Sequence, residues 1–128
     1  MKIIDMNDLK GTERQINFDS GMISYRALLK KDGMGFTICK TVIPVGPIQR
    51  WHYKNHLEAC YCICGEGILT NMFTGKSYKI MEDMLYVLDD HDEHTFEALE
   101  HTVLISVFNP PLIGHEVHLP DGSYREAA

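Results

Sequence analysis

Long hydrophobic runs are missing from this sequence. A membrane-spanning helix takes about 18–20 predominantly apolar residues, and here a charge, glycine or proline interrupts every apolar run well before that. No segment repeats, none is of low complexity, and none keeps a 3.6-residue apolar period beyond about two turns, so a helical bundle is not expected. Positive charge is scarce and scattered: 12 Lys and Arg against 18 Asp and Glu leave a net charge of −6. That balance argues against a nucleic-acid partner, which needs clustered basic residues to replace phosphate counterions. A basic start followed by an apolar run and a small-residue cleavage site is absent, so the protein is expected in the cytoplasm, with no membrane partner. Cysteine offers no disulfide framework. Of the four, Cys60, Cys62 and Cys64 occupy alternate positions and Cys39 is distant. This is not the spacing of a structural zinc site either, and it suits reduced thiols used as small buried hydrophobes.

What remains is a chain of 128 residues, 45% of them apolar, enough for one domain with one moderate core. Short segments with β character recur between turn signals. Strands are predicted over Met22–Leu29, Phe36–Val42, His56–Cys64, Ile68–Phe73, Lys76–Ile80, Met84–Leu88, Glu93–Ala98 and Val103–Phe108. A further opening strand and a short turn or helix around MNDLKGT are expected before residue 20. Asp32-Gly33 favours a hairpin turn, and Asn109-Pro110-Pro111 cannot extend a ladder, which leaves a polar tail to Ala128. Eight or more such strands predict an all-β sandwich or barrel.

The centre of the reading is GPIQRWHYKNHLEACYCICG, from Gly46 to Gly65. If it is extended, His52, Lys54, His56, Glu58, Cys60, Cys62 and Cys64 share one face, because side chains alternate along a strand. Two imidazoles and a carboxylate would then stand near the mouth of a pocket with small soft residues behind them. Downstream, Tyr86 and His94 sit on two other predicted strands. A carboxylate, a phenol and an imidazole suit a divalent metal with open coordination positions. Equally, Tyr86 can be a core residue with a satisfied hydroxyl and His94 a turn cap.

Gly46, His52, Glu58 and Gly65 match the glycine, first histidine, glutamate and closing glycine of the first cupin motif, with Lys54 in place of its second histidine. The second cupin motif is weaker, since only Gly75 fits and Met81, Asp83, Tyr86 and Asp90 replace its other members. More specifically, HYKNHLEACYCICGEG, DMLYVLDDHDEH, VFNPP and GHEVHLPDGSY resemble ectoine synthase over nearly the whole chain. The resemblance implies a single cupin domain spanning 1–128. It would be a small jelly-roll barrel whose C-terminal tail closes over the mouth. It implies Fe(2+) held by Glu58, Tyr86 and His94, and cyclisation of N4-acetyl-L-2,4-diaminobutanoate to ectoine with loss of water. It implies a homodimer, to which the two-sided apolar pattern of Met22–Leu29 and Val103–Phe108 adds support.

Under the same resemblance Tyr53, His56 and Glu116 are the proton-transfer candidates. Glu116 or His56 would be the base and Tyr53 a hydrogen bonder or acid. Tyr53 lies on the wrong parity for the pocket unless the chain is irregular there. Arg26 would bind the substrate carboxylate, with Thr41 and Phe108 lining the pocket and His52 ordering it by a hydrogen bond. Met22 and Cys39 also take pocket positions, where the family more often has tryptophan and asparagine, so a shifted preference toward another short N-acyl diamino acid is a further expectation. Two readings from other classes stay open: an iron cupin using oxygen, and a non-catalytic cupin that binds a small solute.

Overall fold

Strand alternation is visible directly in burial. In His94-Thr95-Phe96-Glu97-Ala98 the odd members of the run are buried and the even ones half-exposed, and Glu58, Cys60 and Cys62 are buried between exposed or half-exposed neighbours. The computed structural model describes residues 1–125. It contains ten strands: β1 Gln15–Asn17, β2 Ile23–Leu28, β3 Thr37–Ile43, β4 Gln49–Trp51, β5 Leu57–Cys64, β6 Glu66–Asn71, β7 Ser77–Met81, β8 Leu85–Leu88, β9 His94–Ala98 and β10 Thr102–Asn109. Short 3₁₀ turns at Met6–Leu9 and Lys30–Asp32 are the helical segments among the described residues. No helix among those residues is long and apolar enough to cross a membrane.

The expected barrel is not what forms. The strands make two separate antiparallel sheets, one ordered β1-β2-β3-β10-β5-β8 and the other β4-β9-β6-β7, and neither closes on itself. The two sheets face each other over one core that includes Phe96, Ile43, Leu104 and Leu112, all at most 1% exposed. Between β5 and β6 the chain passes from one sheet to the other over a single residue, Gly65, since β5 ends at Cys64 and β6 begins at Glu66. Gly65 has φ of +97°, and a Cβ there would lie 2.5 Å from the His101 carbonyl oxygen and 2.6 Å from Thr102 Cα. Only glycine reconciles that backbone with so close an approach.

Register determines what the larger sheet offers to the interior. Tyr86 on β8 stands opposite Cys60 on β5, Cys60 opposite Ser106 on β10, Ser106 opposite Cys39 on β3, and Cys39 opposite Arg26 on β2. One row of five buried side chains therefore crosses the inner face. A register shift between Arg26 and Leu28 accompanies two consecutive buried residues, Arg26 and Ala27, as a bulge produces.

After Asn109, which precedes a cis bond to Pro110, the tail folds back instead of extending. The Lys30 N–H donates to the Leu112 carbonyl (2.8 Å), the Leu112 N–H to Thr37 Oγ1 (2.7 Å), and the His52 N–H to the Gly122 carbonyl (3.0 Å). Asn55 Nδ2 donates to the Tyr124 carbonyl at 3.0 Å. These bonds, and the burial of Leu112, Glu116 and Tyr124, seat the tail against the ends of both sheets.

Candidate active site

An enclosed cavity lies between the sheets. Met22, Cys39, Thr41, Tyr53, Glu58, Tyr86 and Phe108 line it, joined by Trp51, Cys60, Ser106 and Tyr124. Tyr53 reaches it because strand structure stops at Trp51 and the chain through residues 52–56 is irregular. His91 holds that segment in place. Its Nδ1 lies 2.8 Å from the Tyr53 carbonyl oxygen and 3.1 Å from that of His56, both of which accept. His56 is 1% exposed, and its ring meets Phe108 and Tyr124 edge-on, at 6.0 and 6.1 Å between centroids. Neither of its ring nitrogens has a protein partner. Burial pulls its pKa down, partly opposed by the negative charge of Glu116, so the imidazole is held neutral with a lone pair available.

Glu58 is 7% exposed. Desolvation pushes its pKa up to about 8, against the opposing effect of hydrogen bonds from Cys60 and Ser106. Burial also raises Tyr86 well above the ordinary phenol value, with Cys60 and Glu58 adding to it. His94 comes from the facing sheet, its ring 6.5 Å from that of Tyr86, 6.0 Å from that of Tyr53 and 5.8 Å from the Trp51 indole. Its Nδ1 is 2.9 Å from the Asp92 carbonyl oxygen, which makes Nδ1 the protonated nitrogen and leaves the Nε2 lone pair bare. That Nε2 is buried and without a protein partner. Among the described residues no three His, Cys, Asp or Glu side chains are gathered closely enough to hold a metal. An imidazole nitrogen fixed from behind and a desolvated carboxylate, with a buried phenol nearby, fit a divalent cation in donor chemistry.

Arg26 and Glu116 are deployed differently from the sequence expectation. The guanidinium is fully buried. Its Nε donates to Ser24 Oγ (3.2 Å), Nη1 to the Gly114 carbonyl (3.2 Å) and Nη2 to the Glu116 carbonyl (2.8 Å), while Nη1 lies 3.5 Å from Glu116 Oε1. The Glu116 carboxylate accepts from the Ile113 N–H (2.6 Å) and the Gly114 N–H (2.8 Å). The pair fastens the tail to β2. Cys39, at 2% exposed, packs its thiol 3.7 Å from the Ser106 carbonyl oxygen and 4.0 Å from Thr41 Oγ1. His52 faces a surface cleft with Arg50, Lys54, Glu93 and Asp121 and does not line the cavity.

Three cavity neighbours were not marked as functional by the sequence: Trp51, His118 and Tyr124. Trp51 is the single tryptophan and ends β4, where alternation turns Arg50 out and brings Trp51 in.

A family model described as ectoine synthase matches residues 1–128. The chain belongs to the ectoine synthase family. It is 45% identical over 125 residues to the L-ectoine synthase of Alkalilimnicola ehrlichii, covering 97% of this chain and 94% of that protein. It is 42% identical over 124 residues to that of Halalkalibacterium halodurans, covering 97% and 95%. The crystal structure of ectoine synthase from P. lautus superposes with a TM-score of 0.84 at 39% identity, covering 89% of this chain and 81% of that one. A putative ethanolamine utilization protein from Salmonella typhimurium shares the fold alone, with a TM-score of 0.66 at 13% identity over 76% of this chain and 79% of that one. With the family established, the two-sheet form described above is the cupin-like fold of this enzyme.

Proposed function

We propose that the protein is a hydro-lyase that converts N4-acetyl-L-2,4-diaminobutanoate to ectoine. The observation that carries this reading is the meeting of Glu58, Tyr53, Tyr86, Thr41 and Phe108 in one enclosed cavity beneath the tail, in a chain related to ectoine synthases from end to end. In the reaction the α-nitrogen forms a bond to the acetamide carbon and the carbonyl oxygen leaves as water. The two protons shed by the α-ammonium end on that oxygen, so the cyclic amidinium product carries the charge the ammonium had. Nothing is oxidised.

This chain's residues supply confinement and proton handling. Confinement between the two sheets and the tail would keep the substrate folded, and holding nucleophile and carbonyl carbon about 3–3.5 Å apart turns an intramolecular reaction into a fast one. His56 is the favoured base for the α-ammonium, because both its ring nitrogens lack protein partners. Glu116 has its carboxylate committed to two backbone N–H groups. Tyr53 hydrogen-bonds the oxygen that departs and hands it a proton. Glu58, Tyr86 and His94 would hold Fe(2+), which supplies Lewis-acid polarisation of the acetamide oxygen. Half-buried apolar residues on the outer face of the large sheet, among them Ile23, Leu28, Ile105 and Val107, support assembly as a homodimer.

The test is iron-loaded protein incubated with N4-acetyl-L-2,4-diaminobutanoate, with and without oxygen. Loss of one water at equal rates under both conditions is expected. An oxygen-dependent product, or binding of ectoine with no turnover, would refute the reading.

A further inference from the structure

His118 carries no role in the reaction as described so far, yet its ring is held by a hydrogen bond and by stacking. Its Nε2 lies 2.8 Å from the Tyr53 hydroxyl. Its ring is sandwiched between two others, Trp51 at 5.5 Å and 15° and Tyr124 at 4.7 Å and 18°. Beyond Tyr124 lies the Arg26 guanidinium, 5.5 Å from the phenol centroid. Guanidinium, phenol, imidazole and indole therefore form one column, in which Arg26 comes from β2, Trp51 from β4 and the two middle rings from the tail.

The column dictates what the imidazole can do. Desolvation, followed by the nearby positive charge of Arg26, lowers its pKa to about 3. A neutral imidazole has one protonated and one bare nitrogen. Tyr53 can hand a proton to the departing oxygen only if its O–H points into the cavity it lines, which requires His118 Nε2 to carry the imidazole proton and donate to the phenol oxygen. Phe108 edge-on at 5.3 Å and Tyr124 at 5.0 Å restrain the phenol ring but leave its hydroxyl direction undetermined.

We infer that His118 is a positioning residue for the reaction: clamped between Trp51 and Tyr124, it donates through Nε2 to the Tyr53 oxygen and so turns the Tyr53 O–H toward the substrate. This rests on the proposed hydro-lyase reading, in which Tyr53 serves the departing oxygen. It gives the tail a second task beyond covering the cavity.

Two substitutions separate this from simple packing. His118→Phe keeps a flat ring in the column and removes the donor. His118→Gln keeps an N–H donor and gives up the stacked ring. The inference expects His118→Phe to lower kcat by about 10–100-fold, the range of a misaligned catalytic group, with KM within about threefold. It expects His118→Gln to stay within about fivefold of the parent, and His118→Phe combined with Tyr53→Phe to be no slower than Tyr53→Phe alone, as for residues acting as a unit. A purely structural role would reverse the order of Phe and Gln, and multiplicative losses in the double variant would overturn the inference.

A readout independent of turnover accompanies these rates. In ¹⁵N-histidine-labelled protein, His118 Nε2 is expected as a protonated, hydrogen-bonded nitrogen whose resonance moves in Tyr53→Phe. An unmoved resonance overturns the inference even if the parent enzyme is active. If the parent is inactive but the resonance moves, the hydro-lyase reading fails and the hydrogen bond stands.

Discussion

Replacing Arg26 by methionine tests how the tail is held. The side chain is fully buried and makes three hydrogen bonds, two of them to tail carbonyls, besides the 3.5 Å ion pair with Glu116. Buried acceptors that lose a charged donor cost about 1.5–3 kcal/mol each, so those three bonds put at stake about 5–9 kcal/mol. Removing the guanidinium also relieves its own desolvation, which returns several kcal/mol, and methionine refills much of the space. The net expectation is a loss of about 3–5 kcal/mol, the usual result of breaking a buried pair from one side.

Where that loss appears is the more discriminating matter. Arg26 ties β2 to residues 114–116 and stacks on Tyr124, so the variant is expected to release the tail before the sheets unfold. Trp51, the single tryptophan, is 5% exposed and stacked on His118, and its fluorescence reports tail docking. In urea, Arg26→Met should show a fluorescence transition at lower concentration than the far-ultraviolet signal of the sheets, whereas the parent shows both together. Coincident transitions in the variant, with stability changed by less than about 1 kcal/mol, would refute the latch.

Other outcomes are open to measurement. Gly65→Ala forces a Cβ to 2.5 Å from the His101 carbonyl oxygen at a left-handed φ, and should cost at least about 2 kcal/mol in urea unfolding. Asp32 is held well below the usual carboxylate range, first by its hydrogen bond from Arg14 (3.0 Å) and then by the Leu29 N–H (2.8 Å). With the folded value depressed, its stabilisation is complete above the unfolded value near 4 and fades as pH falls below that toward the folded value. The difference in stability between the parent and Asp32→Asn should therefore shrink on acidification below pH 4, and a gap that widens in acid would contradict the assignment. Glu58→Gln and His94→Ala should each lower bound iron by at least about tenfold with the far-ultraviolet spectrum unchanged; full iron content in either would remove that residue from the ligand set.

Most strands were legible because alternation and punctuation agree there. His56–Cys64 and Val103–Phe108 read as strands and form β5 and β10, with ends moved by one residue. The three-residue β4 escaped notice because proline and glycine precede it and its pattern covers too few residues to show a period. The shared face expected from His52 to Cys64 exists only from His56 to Cys62. Residues 52–56 leave the strand conformation, which reverses the parity of Trp51, His52 and Tyr53. Barrel closure was misread for a different reason. Strand count and spacing describe a sandwich and a barrel equally well, and only the pairing between edge strands distinguishes them. The tail was legible as a lid by family likeness alone. Its polar, aperiodic sequence gives no hint that Arg26 would bind its backbone, because those partners are separated by 88 and 90 positions.

The tail's place in the sequence bears on when the enzyme can first work. All ten strands lie before Pro110, so on a growing polypeptide, where folding tends to begin at the N-terminal side, both sheets can pair while Glu116, His118 and Tyr124 are still to be added. Activity would then wait until residues 116–124 have been added and have docked. A bulky fusion partner joined directly behind Tyr124 would obstruct that final docking without disturbing the sheets.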